Sequence, residues 1–362
     1  MTGGQPIPRE SPPAAPHEAE MWSQGRGNGR RRGGKRSGGE ELNVPAAEFR
    51  SYYGRPIIRP PSWHHDIAAY LFTGGLAAGS SLIAAGADLS GRPALRRAGR
   101  LTSMGALLAS TYFLINDLGR PERFHHMLRV AKVTSPMSMG TWILSAYGGA
   151  AGVAAVSEAA PLLPQRGLLG LVRKVLPFTG RAAGLAAAAT APALATYTAV
   201  LLADTAVPSW HDAYPELPFV FAGSALAAGA GAGLVAAPSA ETGPARTLAV
   251  AGAAMELTAI HRIESGMGLV SEPYRQDRAG LLLKAARTLT LLGAAGAVIG
   301  RRSRVVSVVA GAALLAGSAA TRFGVYEAGM ASARDPKYTV VPQRERLAER
   351  EALEHEPKVQ TP

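Results

Sequence analysis

Eight apolar stretches of roughly twenty residues each decide what this 362-residue chain can fold into. They lie at about 67–88, 101–118, 138–157, 182–203, 217–237, 246–266, 281–300 and 304–328, and they are built mainly of Ala, Gly, Leu and Val. A stretch of that length spans the ~30 Å hydrocarbon core of a bilayer as a helix. Lipid offers no partners to backbone N–H and C=O groups, so irregular chain at that depth is excluded. The fold class expected is therefore an all-α integral membrane bundle of about eight transmembrane helices. An even number of crossings puts both termini on one side.

Small residues recur at four-residue spacing in Gly75/Gly79, Gly229/Gly233 and Gly296/Gly300, where they let helix backbones approach closely. Pro192 falls inside the fourth stretch and is expected to kink it. Outside the apolar region, residues 1–62 are rich in Pro, Gly and Arg and read as a disordered basic tail. Its arginine pairs are followed by no apolar run, so a secretory or twin-arginine signal is not expected. Residues 63–330 form the membrane domain, and 331–362 a second charged tail. The net charge of +12 sits largely in tails and loops, which suits a lipid surface or an acidic protein partner rather than nucleic acid. Arginines divide almost evenly between the loops of the two sides; the arginine-dense N-terminal tail tips the expectation towards cytoplasmic termini.

Charge inside such a bundle must be paired, hydrated or put to use. The densest polar string is Asn116-Asp117-Leu118-Gly119-Arg120-Pro121-Glu122-Arg123-Phe124-His125-His126-Met127, between the second and third stretches. His64, His65 and Asp66 open the first stretch on the same side. Tyr197 and Asp204 approach that side along the fourth, and Glu256, His261, Arg262 and Glu264 along the sixth. These residues are expected to converge on one face. Asp117 with Arg120 or Arg123 fits a paired helix end as well as a site. Phe124, His125 and His126 fit an interfacial anchor, and Tyr197 a hydrogen bond between helices. Glu256 is harder to assign to structure alone, because a mid-span carboxylate needs a proton, a partner or water.

Some chemistries are excluded early. Without cysteine the chain holds no disulfide, no iron–sulfur ligand and no covalently attached haem. A haem b would need two axial ligands at matching depth, and His261 is the only histidine well inside a stretch.

The string Asp117-Leu118-Gly119-Arg120-Pro121-Glu122-Arg123-Phe124, followed by Thr134-Ser135-Pro136-Met137-Ser138-Met139-Gly140-Thr141-Trp142, resembles the NrfD-type polysulfide reductase membrane subunit family. Tyr70-Leu71-Phe72-Thr73-Gly74-Gly75-Leu76-Ala77-Ala78-Gly79, Thr196-Tyr197-Thr198-Ala199-Val200-Leu201-Leu202 and Val207-Pro208-Ser209-Trp210 extend it over roughly residues 63–330. The tyrosine motif departs from the family's Tyr-Thr-Gly at Ala199. The resemblance implies a haem-free anchor that exchanges electrons between membrane quinone, menaquinone or ubiquinone, and a ferredoxin-like iron–sulfur subunit serving a molybdopterin-type catalytic subunit. It implies a quinone site near His64, His65, Asp66 and Tyr197. Asp117, Glu256 and Glu264 would relay protons, while Arg120, Arg123, His125 and His126 would dock the partner. The competing reading is a proton- or ion-coupled secondary transporter carrying Glu256 and Glu264 without a redox role; inverted repeats with paired broken helices would mark it, and only one proline-kinked stretch is evident.

Overall fold

The computed structural model describes residues 56–355, so the basic tail expected over 1–62 lies, up to residue 55, outside the described residues. The described chain is helical throughout, and each of the eight apolar stretches is a helix. In chain order these are α1 (His65–Leu89), α2 (Pro93–Asn116), α3 (Pro136–Ser157), α4 (Gly167–Ala203), a single turn α5 (Pro208–His211), α6 (Leu217–Ala236), α7 (Gly243–Gly266), α8 (Asp277–Ile299) and α9 (Arg304–Arg334). A further helix, α10 (Lys337–His355), follows.

Six of the eight long helices are long and apolar enough to cross a membrane by composition; α2 and α7 are the two that are not. The reason is local charge: α2 carries Arg96, Arg97 and Arg100 in its first turns, and α7 carries Arg246, Glu256, Arg262 and Glu264. Both nonetheless pack along their neighbours, α2 on α1 and α7 on α6, so they belong to the same bundle.

Proline and serine set the starts. Pro93 and Pro136 occupy first-turn positions, where a missing N–H costs nothing. Ser135 and Ser303 cap α3 and α9 by accepting the backbone N–H of Ser138 and Val306, each at 3.4 Å. Gly91, at φ +68°, supplies the left-handed residue that reverses the chain between α1 and α2. α4 is longer than its apolar core and contains Pro177 as well as Pro192.

The two halves of the bundle meet where α1 crosses α6. Here a Cβ on Gly79 would collide with the backbone of Ala225, and one on Gly229 with the backbone of Gly79. Glycine is what allows these helices to touch through their main chains. The beginning of α1 also meets the end of α9: the Tyr326 hydroxyl donates to the carbonyl of Trp63 at 2.6 Å. Trp63 stacks on the fully buried Trp210, ring centroids 5.8 Å apart, and the Trp210 indole donates to Val325 O at 2.8 Å. The face holding these contacts is called proximal below, and the opposite one distal.

α9 runs six residues past the end expected for its apolar stretch, because Ala328 to Ala333 remain packed on α5; the Ser209 N–H donates to Ser332 Oγ at 3.3 Å. α10 is then tethered by Lys337, whose ammonium pairs with Glu272 at 3.0 Å.

Candidate functional site

A cavity of about 200 Å3 opens at the proximal face among the start of α1, the end of α2, the start of α3 and the end of α4. Its walls are mainly apolar, with Ile67, Leu71, Leu114, Met137, Leu144 and Leu201 contributing, and Tyr197, Asp117 and Thr141 supply polar groups. A ligand site of this kind is mostly apolar with a few groups that fix orientation. A water needs about 10–15 Å3 of such space, so the volume suits an organic ring rather than a few waters.

Two sequence motifs build the Tyr197 wall together. Gly140, in the first turns of α3, lies directly against the Tyr197 ring, where a Cβ would collide with Cε2 and approach Cδ2 to 2.6 Å. The ring is thus held flat by backbone, while its hydroxyl makes no hydrogen bond to another described residue. Thr141 spends its own hydroxyl on the carbonyl of Met137, at 3.0 Å.

Asp117 caps α2 and forms part of the wall beside Leu118 and Gly119. Its Oδ1 accepts the His64 backbone N–H at 3.0 Å and lies 3.2 Å from His64 Nδ1. The Asp117 carboxylate is mostly covered, whereas the His64 side chain is 81% exposed. The pair therefore links the cavity wall to solvent on the proximal face. Asp66, next along α1, accepts from Asn116 Nδ2 at 2.6 Å and pins the end of α2 in place.

The remaining candidates go elsewhere. His65 turns away from the cavity to Glu327 on α9, Nε2 to Oε1 2.9 Å, beside the rings of Phe323 and Tyr326. Glu264 pairs with Arg287 of α8 at 2.7 Å on the outer side of the bundle. Glu256 is buried in the second half, accepting a short hydrogen bond from Thr321. Beside it lies Arg322, also fully buried, with its guanidinium 3.8 Å over the Phe221 ring and Nη2 donating to Phe221 O at 2.6 Å. Arg322 was not among the residues singled out from sequence, although an arginine eighteen positions into an apolar helix is itself a signal.

Arg120, Arg123, His125 and His126 are all exposed on the 3-10 segment Pro121–Leu128 and its lead-in. Neither arginine forms an ion pair with another described residue. Phe124, Leu128, Val130 and Val133 are exposed among them, giving a basic surface with apolar patches. Met127 from this segment reaches into the cavity wall, so the surface and the cavity share a boundary.

The structure also holds a polar cluster made of residues outside the expected convergence on one face. A second cluster, Asp88, Arg96, Arg100, Glu158 and Arg181, lies at the distal ends of α1 to α4. Pairing between residues about sixty positions apart brings it together, which span counting does not reveal. Among the described residues no three His, Asp or Glu side chains gather as a metal site.

The family model for polysulphide reductase, NrfD, matches residues 57–260, more than half of the chain. This chain belongs to that family. No curated protein matches it. The NrfD match runs from just before α1 into α7 and so contains every element of the cavity and the exposed basic loop; α8 and α9 lie beyond it. NrfD proteins are membrane subunits of polysulphide reductase-like complexes, associated with quinone and generally paired with iron–sulfur and molybdopterin subunits.

Proposed function

We propose that this chain is the quinone-reactive membrane subunit of an oxidoreductase complex, passing electrons between an iron–sulfur partner and menaquinone or ubiquinone. The observation that carries this reading is the proximal cavity, where the Tyr197 hydroxyl and the Asp117 carboxylate share an apolar chamber bordered by the exposed arginine-rich loop. Membership of the NrfD family supports it over the transporter reading.

A quinol supplies two electrons and two protons on oxidation. Tyr197 donates a hydrogen bond to one quinone oxygen, and the Gly140 backbone keeps its ring in the orientation that does so. Asp117 accepts the two quinol protons one after the other at its carboxylate, and exposed His64 passes each to water on the proximal face. The apolar walls exclude water around the ring. Arg120 and Arg123 dock an acidic patch of the iron–sulfur partner, which brings its cluster next to the wall formed by Leu118, Gly119 and Met127. His65, Asp66 and Glu264 hold helices in register in this scheme, and Glu256 sits outside the quinone chamber.

The test is purification in mild detergent from cells expressing the whole complex, followed by extraction and mass spectrometry. Bound quinone together with a cysteine-rich iron–sulfur subunit is the expected outcome. A pure chain carrying neither would overturn the reading.

A further inference from the structure

The distal cluster borders a cavity of about 540 Å3, larger than the proximal one. Asp88, Arg96, Arg100, Glu158, Arg173 and Arg181 line it, so four arginines face two carboxylates and two positive charges are left over. The carboxylates are already engaged. Glu158 Oε1 accepts from Arg96 Nε and Arg100 Nη1, both at 2.9 Å, and Asp88 lies 3.3 Å from Arg96 and 3.4 Å from Arg181. Arg100 is 6% exposed and held in place by a further bond to Ser157 Oγ at 3.1 Å.

The arginines that remain open are Arg173 and Arg181. Arg173 uses only Nη1, on the carbonyls of Pro161 and Leu163, at 2.9 and 2.7 Å. The Arg181 side chain is 61% exposed and touches the cluster through Nε alone. Their depth is set by the helix ends around them: Asp88 ends α1, Arg96 and Arg100 lie in the first turns of α2, and Glu158 follows α3. The apolar stretches of these helices begin or end here, which is where headgroups would meet them.

Below Arg181, one and two turns along α4, Leu185 and Ala189 are exposed to the outside of the bundle. Phe178 lines the cavity and is strongly exposed beside it, an aromatic ring at interfacial depth. A surplus of positive charge at headgroup depth, over an apolar strip that continues into the membrane, matches one class of ligand.

We infer that the distal cavity binds an anionic phospholipid, its phosphate held by Arg173 and Arg181 and an acyl chain lying along α4 past Leu185 and Ala189. Arg96 and Arg100, paired with Asp88 and Glu158, form the floor. The lipid closes the distal end of the same four helices that carry the proximal cavity, and it joins α4 to the ends of α1 and α2.

The experiment is titration of delipidated protein in mild detergent with phosphatidylglycerol, phosphatidylcholine or inorganic phosphate, read by native mass spectrometry. The wild type should retain phosphatidylglycerol against washing and bind phosphatidylcholine more weakly. Arg181→Gln and Arg173→Gln should each weaken phosphatidylglycerol roughly fivefold, and Arg181→Lys should keep most of the binding. Both target side chains reach solvent, so the variants are expected to fold. Equal binding of the two lipids, unchanged affinity in both glutamine variants, or inorganic phosphate competing as well as the lipid would each overturn the inference.

Discussion

Gly140 and Tyr197 are in direct contact across the α3–α4 interface, and the tyrosine ring rests where any side chain at 140 would stand. Gly140→Ala should therefore displace the ring without removing the hydroxyl. Misplacing a positioning group by about an ångström costs up to about a hundredfold in turnover, so quinone-linked activity of the assembled complex should fall tenfold or more. Gly105→Ala on α2, where an added methyl meets nothing within 4 Å, should leave it unchanged. Steady-state kinetics of the two variants make the comparison.

Tyr197→Phe isolates the hydroxyl from the packing. Losing one hydrogen bond of about 1–1.5 kcal/mol raises the KM for quinone roughly tenfold, while the phenyl ring keeps Gly140 covered. An unchanged KM would remove Tyr197 from the site.

Much of this arrangement is legible in the sequence, and the limits have physical causes. The eight helices could be placed because lipid permits only one backbone structure over a stretch of that length. Gly140 and Tyr197 both belong to recognisable motifs, but that one covers the other is a tertiary fact. His64 and His65 show how one residue changes an assignment: His64 is the extended residue before α1 and meets Asp117, whereas His65 is the first helical residue and turns to Glu327. The distal cluster escaped because Arg96 and Glu158 sit in loops-to-helix boundaries that look like ordinary orientation signals until they pair. Arg322 escaped because the apolar average of α9 hides its few charges.

The buried charge of Arg322 is expected to be costly to expose unpaired. Arg322→Met removes the cation beside the Glu256 carboxyl, which keeps its bond from Thr321, together with the donor to the Phe221 carbonyl, and losing a charged hydrogen bond in a buried site costs about 1.5–3 kcal/mol. The thermal inactivation midpoint in detergent should drop sharply. Adding Glu256→Gln should recover part of the loss, the non-additivity expected of two side chains sharing one buried environment. Strict additivity would show that the two do not interact.

The tether of α10 responds to pH from both sides. The hydrogen bond from Lys337 holds the Glu272 carboxyl below the usual carboxylate range, and the same bond pushes the Lys337 ammonium above its usual range. The lowered carboxyl contributes stability that is present above its free value and is lost as pH falls through the folded one. The raised ammonium contributes stability that is present below its free value and is lost as pH rises through the folded one. α10 should thus be best held between roughly pH 5 and 9. The protection of amides in the first turns of α10, relative to their intrinsic exchange rates, should fall below that window in the wild type. In Glu272→Gln it should be low throughout, with the acid dependence gone.

The most direct test of the quinone assignment is photolabelling of the intact complex in its membrane with an azidoquinone, followed by peptide mapping. Adducts on the cavity walls, at Met127, Met137, Thr141 or Tyr197, suppressed by excess natural quinone, are the predicted result. Competable labelling confined to other helices, with these four residues untouched, would contradict it.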